Sequence, residues 1–296
     1  MAVPLSQVFF PSTFQELFSA WSRFPGAVPY AGGTGFIHTQ GKRIPVLPKN
    51  IISLDKLEEL HRISRTERYL EIGAMVKLNQ IIHLGKIVPD ALTLCLQSIG
   101  GPHVRNMVTI GGNICFSSSK LDCSAPMIAL DAQYELRNAQ SARWIPASRF
   151  SSLPGQSTDA PHTLAPQELL TRIRIPLEPW TFTWHRKFSS AGSNEAGGTI
   201  LFIMRNQRNI LTNIRILYSG NTILREKNSE TLFLGKRLPL NRKDAITFVD
   251  LWKTYLSTRE AAEFFMLPGK DENTHSDIMK TQIINFVETM IMRISE

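Results

Sequence analysis

The chain has 296 residues, of which 43% are hydrophobic and 20% are charged, an ordinary composition for a globular protein. This composition excludes a disordered tail protein, a collagen and a coiled coil, and no apolar run approaches the roughly 20 residues that span a bilayer. The 33 basic and 25 acidic residues give a formal net charge of +8. Because the basic residues are dispersed and form no nucleic-acid-binding motif, we expect an anionic cofactor or an acidic partner subunit rather than nucleic acid.

The N-terminus and the cysteines indicate where the protein works. Residues 1–10 lack the basic start, the long apolar core and the small-residue cleavage site of a signal peptide. The three cysteines, Cys95, Cys115 and Cys123, are too few and too irregularly spaced for a disulfide framework or a zinc site. We therefore expect a cytoplasmic protein with no metal site of its own.

The first 55 residues predict a helix, a strand, a glycine loop and two further strands. In the helix, 12–22, apolar residues recur at helical spacing, and Glu16 follows Thr13 at the spacing of a capping box. The predicted strands lie at 27–31, 44–47 and 51–54.

The rest of the chain alternates helices and strands. The pattern predicts strands at 69–73 and 169–175, helices at 77–84 and 91–99, an apolar segment at 127–132 and a surface loop at 148–166. Residues 177–296 combine strand-like runs at 199–204 and 210–217 with helical runs at 247–255 and 278–292. This last part is typical of a separate α+β unit.

Two glycine-rich segments, 31–35 and 109–113, are the candidates for chemistry. Each follows an extended segment, and glycine lets successive backbone N–H groups point into one concavity that binds phosphate. Neither segment has the spacing of a Rossmann fingerprint or a P-loop. Each segment could also be only a tight turn. If both bind phosphate, they could converge on a single pyrophosphate.

The residues around these segments resemble the FAD-binding subunit of the molybdenum hydroxylases, the xanthine dehydrogenase and carbon monoxide dehydrogenase family. The similarity is strongest at 104–114, which reads Val-Arg-Asn-Met-Val-Thr-Ile-Gly-Gly-Asn-Ile. Matching segments occur in the family's order at 31–34, 71–76, 104–114, 125–132, 168–176 and 187–188.

The resemblance implies an α+β protein with a PCMH-type FAD-binding fold. Its two α+β subdomains would be residues 1–56 and 57–176, followed at 177–296 by a C-terminal α+β domain of the CO dehydrogenase flavoprotein type. The chain would be an oxidoreductase subunit with non-covalent FAD and no catalytic residue of its own. Molybdopterin and [2Fe–2S] clusters would lie only on partner subunits, and FAD would pass electrons to an acceptor such as NAD.

The resemblance also assigns cofactor-binding residues. The backbone of two segments is expected to hold the pyrophosphate: Pro29, Tyr30, Ala31, Gly32, Gly33, Thr34, Gly35 and Phe36 in the first, and Thr109, Ile110, Gly111, Gly112 and Asn113 in the second. Asp122 would accept a hydrogen bond from a ribityl or ribose hydroxyl, or else cap a loop. Ile99 and Leu169 would pack near the flavin or be plain core residues. Lys187 would face an anionic flavin or phosphate, or be a solvated surface lysine.

Three features depart from the family pattern. Gly35 stands where the family has an aspartate, residues 116–120 replace a small-residue stretch, and no arginine follows Lys187 and Phe188. Two other functions therefore stay open. The chain could be a stand-alone PCMH-type flavin oxidoreductase, or a structural subunit that binds no flavin.

Overall fold

The computed structural model of the chain describes residues 6–41, 45–116, 123–150, 164–189, 196–220, 223–258, 261 and 272–295. The chain divides into two compact units: residues 1–119 with 130–177, and residues 120–129 with 178–296. Both units mix helices and strands, so the expected α+β class is confirmed. The subdomain boundaries given above stay a prediction.

The first unit begins with a small parallel sheet. Its strands β1 (Gln7–Phe9), β2 (Val28–Tyr30) and β3 (Asn50–Ser53) are ordered β1-β3-β2, with α1 (Phe14–Arg23) and α2 (Thr34–Gln40) in the connections. The predicted first helix is confirmed, and Thr13 caps it by accepting a hydrogen bond from the Glu16 N–H at 3.2 Å. The apolar stripe of α1 is buried at Leu17, Phe18 and Trp21.

The strand predicted at 44–47 is wrong for the described residues 45–47, which form no strand. Pro45 lies in this run and Pro48 follows it, and neither has an N–H group for a sheet. The Val46 N–H donates instead to Gln40 Oε1 at 2.6 Å, and the Val46 side chain is exposed.

The larger sheet of the first unit is antiparallel, in the order β4-β5-β8-β6-β7. Its strands are β4 (Ile63–Arg65), β5 (Tyr69–Gly73), β6 (Gln133–Arg137), β7 (Ala142–Pro146) and β8 (Leu169–Pro176). The strands predicted at 69–73 and 169–175 are confirmed. The connection from β5 to β6 contains the helices α3 (Leu78–His83), α4 (Asp90–Gln97), α5 (Pro102–Arg105), α6 (Ile110–Cys115) and α7 (Ser124–Ala129). Most of the loop predicted at 148–166 lies outside the described residues.

The second unit contains a four-stranded antiparallel sheet, in the order β12-β11-β10-β9. Its strands are β9 (Phe182–Ser189), β10 (Ala196–Gln207), β11 (Ile210–Ser219) and β12 (Ile223–Leu224). The later helices are α8 (Lys227–Leu232), α9 (Arg242–Leu256) and α10 (Glu272–Arg293). Aromatic side chains such as Phe202, Phe248 and Trp252 fill the core between the sheet and these helices. No helix in the described part of the chain is long and apolar enough to cross a membrane.

Candidate functional site

The first glycine segment connects β2 to α2 and leaves the start of that helix open. Gly33 is the N-cap of α2 and has a φ of 70°, a left-handed conformation that glycine adopts without strain. It has no side chain to cap the helix. Among the described residues, the N–H groups of Thr34, Gly35 and Phe36 meet no hydrogen-bond acceptor. Open N–H groups at a helix start attract an anion.

The second glycine segment is not the turn that the sequence predicts. It forms the first turn of α6, with Thr109 as the N-cap. Four of its N–H groups are hydrogen-bonded within the chain: Ile110 to the Val76 carbonyl at 2.9 Å, Gly111 to the Ala74 carbonyl at 2.9 Å, Gly112 to Thr109 Oγ1 at 3.1 Å, and Asn113 to the Thr109 carbonyl at 3.0 Å. These four N–H groups therefore have acceptors within the chain itself, and a phosphate-binding role for this segment stays a prediction.

The two glycine segments nevertheless lie directly against each other. A Cβ atom added to Gly32 would overlap the carbonyl oxygen of Met107, just before the second segment. A Cβ added to Gly112 would lie 4.0 Å from the Ala31 Cβ and 2.6 Å from Thr109 Oγ1. The absence of a side chain at Gly32 thus lets the two backbones meet, whereas a side chain at Gly112 would clash first with the N-cap residue of its own helix. The fold brings the two segments together, and their convergence on one pyrophosphate stays a prediction.

Aromatic rings enclose the first segment. Tyr30, at the end of β2, places its hydroxyl where a Gly33 side chain would stand, and its ring meets the Phe36 ring edge-on at 6.3 Å. The Phe116 ring packs on Gly35 of this segment. A Cβ on Gly35 would be 2.6 Å from two carbons of the ring. Gly35 and Phe116, two of the departures from the family pattern, therefore fit one another sterically.

Asn113 contributes a buried polar atom to this region. Its Oδ1 is fully buried, and no donor among the described residues reaches it. A buried amide oxygen without a donor costs roughly 1–3 kcal/mol, so this atom is a candidate acceptor for a donor from a ligand or an ordered water. The hydroxyl groups of a nucleotide are donors of this kind.

The other predicted site residues are more scattered. Ile99 is buried just after α4, and Leu169 is buried at the start of β8, opposite Arg137. Lys187 lies in β9, opposite Thr199. Asp122 lies outside the described residues.

Arg105 has a role that the sequence reasoning missed. Its Nη1 donates to the carbonyl oxygens of Gln97, Ile99 and Gly100, at 3.0, 3.2 and 2.5 Å. Gln97 is the last residue of α4, and Ile99 and Gly100 lie in the loop that follows it. The available signal was a basic residue four positions after the pair Gly100 and Gly101, which directly follows the helix predicted at 91–99. Arg105 thereby holds the chain that leads into the second glycine segment.

Lys77 also lies at the junction of the two glycine segments. Its Nζ donates to the Met107 carbonyl at 3.4 Å, the same carbonyl that Gly32 contacts. Burial lowers the pKa of the Lys77 ammonium, while the charge of Asp55 opposes this shift.

The comparisons with known proteins decide the family. The sequence profile of the FAD binding domain in molybdopterin dehydrogenase matches residues 4–178, more than half of the chain. The chain belongs to this family. The match confirms the expected FAD cofactor and the expected PCMH-type fold.

Curated relatives of the FAD-binding domain agree with this assignment. The chain is 30% identical over 161 residues to the xanthine dehydrogenase FAD-binding subunit of Escherichia coli O157:H7, and the match covers 52% of each chain. It is 29% identical over 195 residues to the carbon monoxide dehydrogenase medium chain of Hydrogenophaga pseudoflava, covering 64% of this chain and 66% of the relative. The chain thus spans about half the length of the first curated relative it matches.

Solved structures share the fold over the whole chain. Reconstituted CO dehydrogenase from Oligotropha carboxidovorans superposes with a TM-score of 0.78 at 21% identity, covering 100% of this chain and 99% of that chain. Quinoline 2-oxidoreductase from Pseudomonas putida 86 gives a TM-score of 0.77 at 20% identity, covering 100% and 98%. The C-terminal α+β unit therefore also follows the fold of these proteins.

Proposed function

We propose that this chain is the FAD-binding electron-transfer subunit of a heteromeric molybdopterin and [2Fe–2S] hydroxylase. In this role, bound FAD receives electrons from the iron–sulfur clusters of a partner subunit and releases them to an external acceptor such as NAD. The observation that carries the proposal is the pairing of the family match with two glycine segments that pack against each other. The relatives named as FAD-binding subunit and medium chain support a heteromeric assembly.

We assign the diphosphate of FAD to the first turn of α2. The open N–H groups of Thr34, Gly35 and Phe36 are donors for charged oxygens, and a helix start favours negative charge. A hydrogen bond to a charged oxygen contributes roughly 1.5–3 kcal/mol. The second segment has a different role in this assignment, because the N–H groups of 110–113 are already bonded.

The second segment would approach the cofactor closely and present Asn113. Gly112 is exposed and has no side chain, so a ligand can reach the backbone there. The buried Oδ1 of Asn113 would accept a hydrogen bond from a cofactor hydroxyl. Asp122, Ile99, Leu169 and Lys187 keep the roles predicted for them by the family resemblance.

The flavin content of the purified full-length chain tests the proposed function. We expect a yellow preparation that releases close to one FAD per chain on boiling and shows no steady turnover without partner subunits. A colourless chain that rejects added FAD would favour the flavin-free structural subunit. Steady turnover by the isolated chain would favour the stand-alone flavin oxidoreductase.

Co-expression with neighbouring genes tests the heteromeric assembly. We expect the chain to co-purify with a large subunit that contains molybdenum and a small subunit that contains iron and acid-labile sulfide. Elemental analysis of the purified complex measures both metals. A chain that stays separate from such subunits when all are expressed together would contradict the assembly.

A further inference from the structure

Phe116 is a long side chain that reaches from the second glycine segment to the first. It directly follows α6, and its ring is half-buried. A Cβ on Gly35 would lie 2.6, 2.6 and 3.1 Å from three carbons of this ring. The ring therefore packs on the backbone of Gly35, in the first turn of α2.

This contact differs from the other contacts between the two segments. At Gly32 the neighbour is the Met107 backbone, and at Gly112 the nearest atom of the first segment is the Ala31 Cβ. At Gly35 the contact is made by a ring, which a point substitution can remove without changing either backbone. The ring is thus the part of the junction that can be tested separately.

Among the described residues, the first turn of α2 has few other contacts that fix its backbone conformation. Gly33 and Gly35 flank Thr34, and glycine has more backbone freedom than any other residue. No residue of α2 is buried, so the core does not hold this helix. Ordering flexible groups on binding weakens affinity, whereas packing that orders them beforehand strengthens it.

We infer that Phe116 is a positioning residue that holds the open N–H groups of α2 in place for the diphosphate of FAD. This inference rests on the proposed assignment of the diphosphate to α2. It also gives a reason for Gly35, because any side chain there would displace the ring.

Binding of FAD and of ADP by the full-length chain tests this role. ADP carries the diphosphate and lacks the flavin ring. We expect Phe116→Ala to weaken the binding of both ligands by the same factor, about tenfold, because both lose the same pre-ordered turn. Phe116→Leu, which keeps an apolar side chain over Gly35, should restore most of the affinity for both.

Phe14→Ala is the matched control, because Phe14 is a half-buried phenylalanine of α1 in the same unit. It should lower the melting temperature without changing either Kd, when binding is measured well below the melting temperature. Unchanged binding in Phe116→Ala would overturn the inference, as would weaker FAD binding with unchanged ADP binding. A control that weakens binding equally would also overturn it. A wild-type chain that binds neither ligand would instead contradict the proposed function.

A double-mutant cycle tests the contact itself. Gly35→Ala should weaken ADP binding in the wild-type chain, because the new methyl group must displace the ring. In the Phe116→Ala background the same change should cause no further loss. Gly26→Ala serves as control, since a Cβ there meets no atom within 4 Å. Additive effects of Gly35→Ala and Phe116→Ala would overturn the coupling.

Discussion

At the residue scale, the glycines of the candidate site serve different physical purposes. Gly33 is required for its positive φ and Gly32 for the close approach of the Met107 carbonyl, whereas a side chain at Gly112 would meet the Thr109 hydroxyl that caps α6. The family resemblance identified these positions in the sequence. It could not separate their purposes, because these depend on the backbone conformation at each glycine and on its neighbours in the fold. The consequences of substitution therefore differ from one glycine to the next.

Gly112→Val should reduce FAD affinity by at least about tenfold, a loss of 1.4 kcal/mol or more. The added Cβ would lie 2.6 Å from Thr109 Oγ1 and 4.0 Å from the Ala31 Cβ, so it breaks the cap of α6 beside the first segment. Quenching of flavin fluorescence during titration measures the affinity. Gly26→Val, at an open position, is the control and should bind FAD normally. Full FAD affinity in Gly112→Val would contradict the assigned site.

Glu135 is a buried carboxylate whose charge state ties stability to pH. It accepts hydrogen bonds from Thr171 Oγ1 at 2.5 Å and from Arg172 at 2.5 and 2.9 Å. Burial acts to raise the pKa of this carboxyl, but the bonds from Arg172 and Thr171 and the charges of Arg172 and Arg137 together lower it below its ordinary 4.5. The folded state therefore favours the ionised form.

A lowered pKa contributes stability that is present above the unfolded value and is lost as the pH falls through the folded value. Glu135→Gln should thus lower the urea midpoint at neutral pH and reduce the further fall of the midpoint below pH 4.5. Urea titrations across this range measure both effects. Glu67→Gln, at an exposed position beside β5, is the control. If the urea midpoint of Glu135→Gln falls below pH 4.5 as steeply as that of the wild type, Glu135 does not contribute to the pH dependence of stability.

At the element scale, periodic patterns predicted the buried elements well. The Tyr69–Gly73 strand and the start of the central strand β8 were predicted to the residue, because buried aliphatic residues mark them. The hairpin of β6 and β7 was not predicted. Its strands carry charged side chains such as Glu135, which is buried because its partners Thr171 and Arg172 lie in β8.

The second glycine segment shows why local sequence can mislead. Glycine is about 1 kcal/mol less favourable than alanine within a helix, so two adjacent glycines favour a turn. Here the Ile110 and Gly111 N–H groups donate to the carbonyls of Val76 and Ala74, just after β5. These tertiary bonds and the Thr109 cap start the helix despite the glycines. These carbonyls belong to residues outside the segment, so the sequence of the segment alone does not predict the helix.

The end of α4 gives a prediction at this scale. Arg105→Met should lower the free energy of unfolding by about 2 kcal/mol, because three carbonyls lose their shared charged donor. Arg105→Lys should recover only part of the loss, since an ammonium lacks the guanidinium geometry. Urea unfolding measures both variants. Arg65→Met, in exposed β4, is the control. Wild-type stability in Arg105→Met would show that the end of α4 does not depend on this side chain.

At the scale of the whole molecule, the family resemblance predicted the fold and the two segments that converge. It did not predict that the hydrogen-bond donors are unequally distributed between them. That inequality arises because α2 begins at a glycine, whereas α6 begins at a threonine whose hydroxyl accepts the Gly112 N–H. The site thus combines one segment with open donors and a second segment that supplies close approach and Asn113.

A crystal structure of the full-length chain with FAD is the most direct measurement of this arrangement. We expect diphosphate oxygens within hydrogen-bond distance of the Thr34, Gly35 and Phe36 N–H groups. We also expect Gly112 to lie beside the diphosphate and Asn113 Oδ1 to accept a hydrogen bond from a cofactor hydroxyl. A diphosphate bound elsewhere, with the first turn of α2 left facing solvent, would contradict the proposed site.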